Sequence, residues 1–378
     1  MKGEICYTVL GGGQEIGASC HCLAFGKNRI LLDCGMGLRD GVLYAPDFTP
    51  LMEQGHAPKE IQTAFISHAH FDHIGFLPRM FEQCGAVPIY TSELSAELGQ
   101  TLLRDSLNIR QMPRQLDRYI EEVTTAFAGL HRIRFARSMD FGSYRATFYE
   151  AGHIPGAAMI YLETEQGSIL YTGDFSMERT SLTNGTILPE DLKADLVILD
   201  GTYAKRPGYH PNRLSDRALQ SLASAQWSPI SLRVNRATKG VEVLNSLAVQ
   251  MEKGELPRMR IYADESVWET VQAFLRAGLP VLNENCYPLP IGTGLPPEKA
   301  ICIVTRSPGY ALPEYPIDFS LHAGFDELCS FIRMHARRDV AVVHAPAGRD
   351  AYGFYSLQNA CGSKYHFIYP ENGEIYQL

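Results

Sequence analysis

The chain has no run of about 18 apolar residues, so nothing in it reads as a membrane-spanning helix. Its start, Met1-Lys2-Gly3-Glu4-Ile5-Cys6-Tyr7, lacks the apolar stretch of a secretory signal. A disulfide framework is missing too. Nine cysteines are scattered at no regular spacing, and an odd count without an export signal fits a reducing cytoplasm. There is no basic excess: 34 Lys and Arg stand against 42 Asp and Glu, a formal net charge of −8. That argues against a generic nucleic-acid coat, although metal ions and a few arginines can make a deep site locally positive beneath an acidic exterior. Internal repeats and low-complexity segments are absent. What remains is ordinary globular composition over 378 residues, 45% hydrophobic and 20% charged, enough for two domains or one large domain with an insertion.

Histidine is scarce, 12 in 378, which makes its clustering informative. Ser67-His68-Ala69-His70-Phe71-Asp72-His73 holds three histidines and an aspartate. The apolar Thr63-Ala64-Phe65-Ile66 before it reads as a buried strand, and Ile74-Gly75-Phe76-Leu77-Pro78 after it as a helix start. The cluster is therefore expected on a strand-to-helix loop, with imidazoles and a carboxylate suited to zinc. His68 and His70, two apart, point the same way on an extended segment; Asp72 and His73 follow as the chain turns. One loop can so serve two metals, a clamp suited to hydrolysing an ester or phosphodiester.

Two further strand ends repeat the logic. Thr147 to Glu150 leads into Gly152-His153-Ile154-Pro155-Gly156, and His153 supplies the third nitrogen that the first metal needs. Ile169-Leu170-Tyr171 leads into Gly173-Asp174, a carboxylate able to bridge two metals. Other candidates read differently. Gly11-Gly12-Gly13 has the wrong spacing for a dinucleotide fingerprint and leads into another strand, not a helix. Ser19 to Phe25 and Arg29 to Leu32 alternate around Gly26-Lys27-Asn28, a hairpin signal. Within it, Cys20-His21-Cys22 cannot converge on one metal, because a strand sends His21 to the opposite face from the cysteines. From Thr91 to about Phe127 the period is helical, broken at Pro113, an insertion that reads as a lid or a homodimer surface.

His-x-His-x-Asp-His resembles the signature of the metallo-β-lactamase superfamily. Asp200-Gly201-Thr202-Tyr203, Phe319-Ser320-Leu321-His322 at the end of an expected strand, and Val340-Ala341-Val342-Val343-His344 resemble, in order, three motifs of its β-CASP nuclease group. The resemblance implies an α/β fold: a four-layer αββα sandwich formed by residues 1–204 and 316–378, with an α/β cap inserted at 205–315. It implies two zinc ions, with manganese as an alternative. His68, His70 and His153 would hold the first and Asp72, His73 and His344 the second, with Asp174 bridging. Asp33 would orient a ligand histidine. Asp72, Asp200 and His322 are the catalytic candidates, His322 as general acid held by Asp200. Arg236, expected at a helix start, Arg306 and Ser307 are the substrate-binding candidates. A histidine at position 344 points to the RNA-processing branch. The expected activity is hydrolysis of single-stranded RNA in the cytoplasm, with single-stranded DNA, or a thioester or lactone, as alternative substrates. The short insert, the Pro- and Gly-rich stretch from Asn283 to Glu298, and Ala345-Pro346-Ala347 after His344 depart from the group's pattern.

Overall fold

The computed structural model describes residues 4–40, 42–109, 121–122, 125–126, 129–208, 229–290, 300–306, 312–317, 319–345 and 357–378. The chain enters β1 (Cys6–Gly11), turns back in β2 (Cys20–Phe25) and returns in β3 (Asn28–Leu32), the expected hairpin. A ribbon of β4 (Gly37–Arg39) and β5 (Val42–Tyr44) follows. Then come α1 (Thr49–Glu53), β6 (Thr63–Phe65), α2 (Phe71–Ile74), α3 (Leu77–Cys84), β7 (Ile89–Ser92), α4 (Glu93–Ile109) and β8 (His131–Ile133). The next strands are β9 (Ser138–Asp140), β10 (Tyr144–Glu150), β11 (Ala158–Thr164), β12 (Ser168–Tyr171) and β13 (Ala194–Asp200). A separate stretch carries β14 (Ile230–Arg233), α5 (Ala237–Glu252), β15 (Arg260–Ala263), α6 (Glu265–Arg276), β16 (Cys286–Pro288), β17 (Ala300–Val304) and β18 (Glu314–Pro316). The chain closes with α7 (Phe325–His335), β19 (Ala336–Val343), β20 (His366–Ile368) and β21 (Ile375–Gln377).

Two seven-stranded sheets form the body, in the orders β21-β1-β2-β3-β6-β7-β8 and β20-β19-β13-β12-β11-β10-β9. Alternation along the strands explains their packing. Leu23 and Phe25 of β2 face a core shared with Phe148, Ile160 and Ile198 of the other sheet. Cys20 and Cys22 face away from it, into the core on the helical side. His21 goes with the inter-sheet face and binds the Tyr7 hydroxyl through Nδ1 at 3.0 Å, so Cys20-His21-Cys22 is core strand. With α2 to α4 and α7 on the outer faces, the four-layer αββα expectation is met.

A third sheet, ordered β16-β15-β17-β14-β18, is parallel throughout. It lies in sequence between β13 and β19, which are direct parallel neighbours in the second sheet. α4, which buries Leu98 and Leu102, is packed against α6 of this inserted unit as well as against α2, β7 and β8, so its described part is a seat for the insertion. Pro113 and the break expected there lie outside the described residues. One expectation is corrected. Phe319 to His322 does not end a strand: β18 stops at Pro316, the bond from Ile317 N to Arg233 O at 2.8 Å ties the chain to β14 just beyond it, and Phe319 to His322 is irregular chain.

Strand direction places the site. β12, β13 and β19 run parallel. β10 is antiparallel to β11, and β11 to β12, so β10 shares their direction. In the other sheet β1, β3 and β6 run alike. Seven strand ends therefore deliver loops to one edge of the sandwich.

Candidate metal centre

The loop after β6 turns at once into α2. His70 takes the N-cap position, so Asp72 and His73 fall in the first helical turn while His68 stays on extended chain. That change of direction lets one short segment aim at two points. All four side chains are buried. Asp33 fixes the loop from the end of β3. Its Oδ1 accepts from Ser67 N at 2.6 Å. Its Oδ2 accepts from Ser67 Oγ at 2.7 Å, His73 Nδ1 at 2.6 Å and the Tyr171 hydroxyl at 2.5 Å. With Nδ1 occupied, His73 presents Nε2 to the site.

β10, β12 and β19 bring the remaining donors. His153 donates from Nδ1 to the Leu321 carbonyl at 2.9 Å, which leaves Nε2 for the site. Asp174 follows Gly173, whose φ is +51° and whose absent Cβ would lie 2.6 Å from Ser67 Cβ; a side chain there would push the two loops apart. His344 sits at φ +50°, unusual for a residue with a Cβ, and its N–H donates to Gly12 O at 2.7 Å. The glycine-rich stretch after β1 thus holds the backbone of His344.

The donor atoms fall into two groups that share Asp174. His68 Nε2 and His153 Nε2 lie 3.0 and 3.4 Å from His70 Nδ1, and 3.6 and 3.7 Å from Asp174 Oδ2. His73 Nε2 and His344 Nδ1 lie 3.4 and 3.3 Å from Asp174 Oδ1, and His344 Nε2 is 3.6 Å from Asp72 Oδ2. Two nitrogens bound to one tetrahedral ion at about 2.0–2.1 Å stand about 3.3–3.4 Å apart, close to these separations. Asp72 Oδ1, His73 Nε2, Asp174 Oδ1 and His344 Nε2 are buried without a hydrogen-bond partner among the described residues. Orphaned buried polar atoms that converge are what a cation requires. The residues fit a divalent metal.

Charge leads to the same conclusion. Burial pushes His68 and His70 well below the usual imidazole range, and His153 down to about 3, so all three are neutral donors. Their approaches to Asp174 are not ion pairs. Burial opposes the charged form of His73 and His344 as well, yet the carboxylates outweigh it. Asp174 and Asp33 hold His73 well above its ordinary value, and Asp174, Asp200 and Asp72 lift His344 to about 10. Burial likewise works against Asp72 and Asp174, but the facing histidines keep both ionised. The carboxylates here demand positive charge, and a metal ion supplies it while leaving the imidazoles neutral.

Beside this centre, β13 delivers Asp200. Its Oδ2 accepts from His322 Nδ1 at 2.9 Å, and its Oδ1 from Thr202 N and Oγ1 at 2.9 and 2.7 Å. His322 Nε2 then points into the site, 3.9 Å from Asp174 Oδ2. Arg236 is the N-cap residue of α5, half-buried, with Nη1 unpartnered among the described residues. It lies near enough to help hold the Asp72 carboxyl down. Arg306 follows β17, parallel to β14, and so leaves the same edge of the third sheet as Arg236, but it is exposed. Ser307 lies outside the described residues. Tyr171, the Leu321 carbonyl and Thr202 escaped sequence reasoning as supports of the site. Only Thr202 carried a signal, one residue beyond Asp200-Gly201.

A profile described as the metallo-beta-lactamase superfamily matches residues 16–210. Curated relatives include Ribonuclease TTHA0252 of Thermus thermophilus, 29% identical over 67% of this chain and 57% of its own length. Probable RNase MJ4 of Methanocaldococcus jannaschii is 33% identical over 54% of this chain and 46% of its own. Cleavage and polyadenylation specificity factor subunit 3-II of Arabidopsis thaliana is 34% identical over 52% and 33%. The chain thus spans about half the length of the curated relatives it matches, or less. A crystal structure of an Enterococcus faecalis protein of unknown function shares the fold, with TM-score 0.62 and 15% identity, over 99% of this chain and 100% of that one.

Proposed function

The chain belongs to the metallo-β-lactamase superfamily, and we propose that it is a β-CASP ribonuclease, a metal-dependent hydrolase of phosphodiester bonds in single-stranded RNA. The observation that carries this reading is the Asp200–His322 pair at 2.9 Å, set beside the metal centre with His322 Nε2 directed inward. A hydrolase of thioesters or lactones has no need of that extra proton donor. The names of the relatives, ribonucleases and an RNA-processing factor, support the substrate class. We divide the chain into a core of residues 1–204 and 316–378 and an inserted cap of 205–315. All nine cysteines are free thiols, in keeping with a cytoplasmic protein. No helix among the described residues is long and apolar enough to cross a membrane. A homodimer built on the helical segment after Ser92 would use the exposed face of α4, which carries Glu93, Glu97, Gln100 and Arg104, since its buried face is already covered.

His68, His70 and His153 would hold one zinc and Asp72, His73 and His344 the other, with Asp174 shared; manganese suits the same donors. Four buried carboxylates, Asp33, Asp72, Asp174 and Asp200, line this region, and two divalent ions balance their charge. When bound, the ions supply Lewis acidity, which lowers the pKa of a water and offsets charge on the phosphate. Asp72 Oδ1, unpartnered and facing the site, orients the attacking water. Asp200 accepts the Nδ1 proton and, as a carboxylate, favours the imidazolium; from that doubly protonated ring the Nε2 proton is given to the leaving oxygen as the P–O bond breaks, leaving His322 neutral with its remaining proton on Nδ1. Arg236, Arg306 and Ser307 are the residues proposed to grip the phosphates that flank the cut.

The test is cleavage of a 5′-labelled single-stranded RNA by the metal-loaded protein, beside DNA of the same sequence and the His322→Ala variant. Loss of the RNA, abolished in the variant, is expected, and the product ladder separates exo- from endonuclease action. Preferred cleavage of the DNA would move the substrate to that strand. A protein that holds its metals and cuts neither is not a nuclease, and a thioester and lactone panel would follow.

A further inference from the structure

We infer that Lys239, on the first turn of cap helix α5, is a positioning residue for His322. The inference rests on the ribonuclease reading above and deepens it.

The His322 loop has no ladder to hold it. On the core side, its carbonyl at Leu321 accepts from His153, and Ala323 N donates to Phe175 O at 2.6 Å. On the other side the hold comes from the cap. Lys239 Nζ donates to the Phe319 carbonyl at 2.6 Å, and the same ammonium lies 5.2 Å from the centre of the Phe319 ring. Phe319 stands three residues before His322. Lys239 therefore fixes the chain three residues before the acid, His153 holds the Leu321 carbonyl immediately before it, and Phe175 fixes its departure.

α5 is itself anchored to the core without Lys239. Asp105 Oδ2 on α4 accepts from Ala237 N at 3.0 Å. Glu242, buried one turn further on, accepts from Thr180 Oγ1 at 2.5 Å, from Ser181 N at 3.1 Å and from Ser181 Oγ. Thr180 and Ser181 belong to the loop that follows Asp174. The helix is a fixed bracket against which Lys239 can hold the loop. Arg236, three residues before Lys239 and so on the same side of the first turn, is the proposed phosphate grip. A phosphate on Arg236 and the acid His322 are thereby referred to one turn of one helix. That sets the distance between the bound strand and the proton it receives.

A general acid matters only when the leaving group needs a proton. An RNA alkoxide does; the nitrophenolate of bis(p-nitrophenyl) phosphate does not. The experiment compares both substrates on the metal-loaded full chain, as parent, Lys239→Met, Lys239→Arg and His322→Ala, with metal content and thermal midpoint measured for each. Lys239→Met keeps the stem over Phe319 and loses the donor; Lys239→Arg keeps a donor. The expected result for Lys239→Met is a kcat on RNA lower by about 10- to 100-fold, from an acid displaced by about an ångström. Its KM for RNA and its rate on the nitrophenyl ester should stay within about twofold of the parent. Lys239→Arg should recover most of the loss, and His322→Ala, which removes the acid itself, should lose more of the RNA rate than Lys239→Met does. An unchanged RNA kcat in Lys239→Met, an equal loss on both substrates, or an arginine variant no better than methionine refutes the positioning role alone. A parent that leaves RNA intact while hydrolysing the nitrophenyl ester refutes the ribonuclease reading, and this inference with it.

Discussion

Replacing Asp33 by Asn changes one heavy atom and little volume, yet it should weaken one of the two metal sites proposed for the centre. Three donors converge on Asp33 Oδ2: Ser67 Oγ, His73 Nδ1 and the Tyr171 hydroxyl. Oδ1 serves Ser67 N. An asparagine can keep its oxygen on Ser67 N, but its NH₂ then faces all three. The two hydroxyls can rotate and accept. His73 can accept at Nδ1 only by moving its proton to Nε2, the atom aimed at Asp174 and left unpartnered among the described residues. An Nε2–H cannot ligate a metal. Outer partners of this kind are worth about 10- to 100-fold in metal affinity, which is about 1.4–2.7 kcal/mol. The loss should fall on the ion proposed for Asp72, His73 and His344, because of the proposed ligands to the other ion only His68 reaches Asp33 among the described residues, and only through Ser67 Oγ. Calorimetric zinc titration, with metal analysis after dialysis, should show one site at parent affinity and one weakened. Two sites with unchanged affinities would refute the argument, and equal weakening of both would refute its assignment to His73.

Three further outcomes follow from the same geometry. His322→Ala should lower the RNA cleavage rate by about 10²- to 10⁴-fold, the usual contribution of a general acid, while metal content stays at the parent value; a variant that loses metal would make His322 a ligand instead. Phe331 of α7 is fully buried, with its ring centre 4.7 Å from Phe175 beside the site, so Phe331→Ala should cost about 3–5 kcal/mol in urea unfolding, and a loss under about 1 kcal/mol would show that α7 is not packed as described. Burial raises the Asp105 carboxyl to about 6 from 3.8, so the folded state favours its protonated form: that stability is full below pH 3.8 and is lost as pH rises through about 6. The loss is about 2–3 kcal/mol, and Asp105→Asn, which can still accept from Ala237 N, should remove it, flattening unfolding free energy between about pH 4 and 7; a curve parallel to the parent would refute the assignment.

The parts of the site that were legible in the sequence are those written locally. His68, His70, Asp72 and His73 occupy one loop, and the change from extended chain to helix that separates them into two sets is marked by the residues on either side. Asp174, Asp200 and His344 each follow a short apolar run, because a strand buried on both faces is apolar and ends where the chain can turn, whereas His153 follows the only partly buried β10 and was legible from its Gly and Pro turn. Asp33 also ends an apolar strand, but its part in holding a ligand histidine was read from the family resemblance. The exception is His322, read at the end of a strand. Phe319 is apolar and buried like a strand residue, but its carbonyl is held by Lys239, beyond the end of β18 at Pro316 and the bond from Ile317 N to Arg233 O.

What stayed hidden depends on partners that leave no mark on composition. A backbone carbonyl such as Leu321 O is available at every residue, and only the tertiary fold chooses it as the acceptor that orients His153. Tyr171 reads as an ordinary strand aromatic until the packing of the two sheets sets its hydroxyl on Asp33. α4 reads as an amphipathic helix whose apolar face needs cover, but nothing in its own residues says that the cover is α6. Lys239 is the clearest case. On an amphipathic helix a lysine is ordinarily solvated, and its role follows only from where the third sheet places α5 against the irregular chain before His322. Ligands must be matched to an ion whose chemistry fixes their type, so they can be read from residue identity. The groups that set the distance from the ion to the acid are matched only to this chain's own backbone, and any donor of the right length would serve. That is why conservative replacement should succeed at Lys239 and fail at His68.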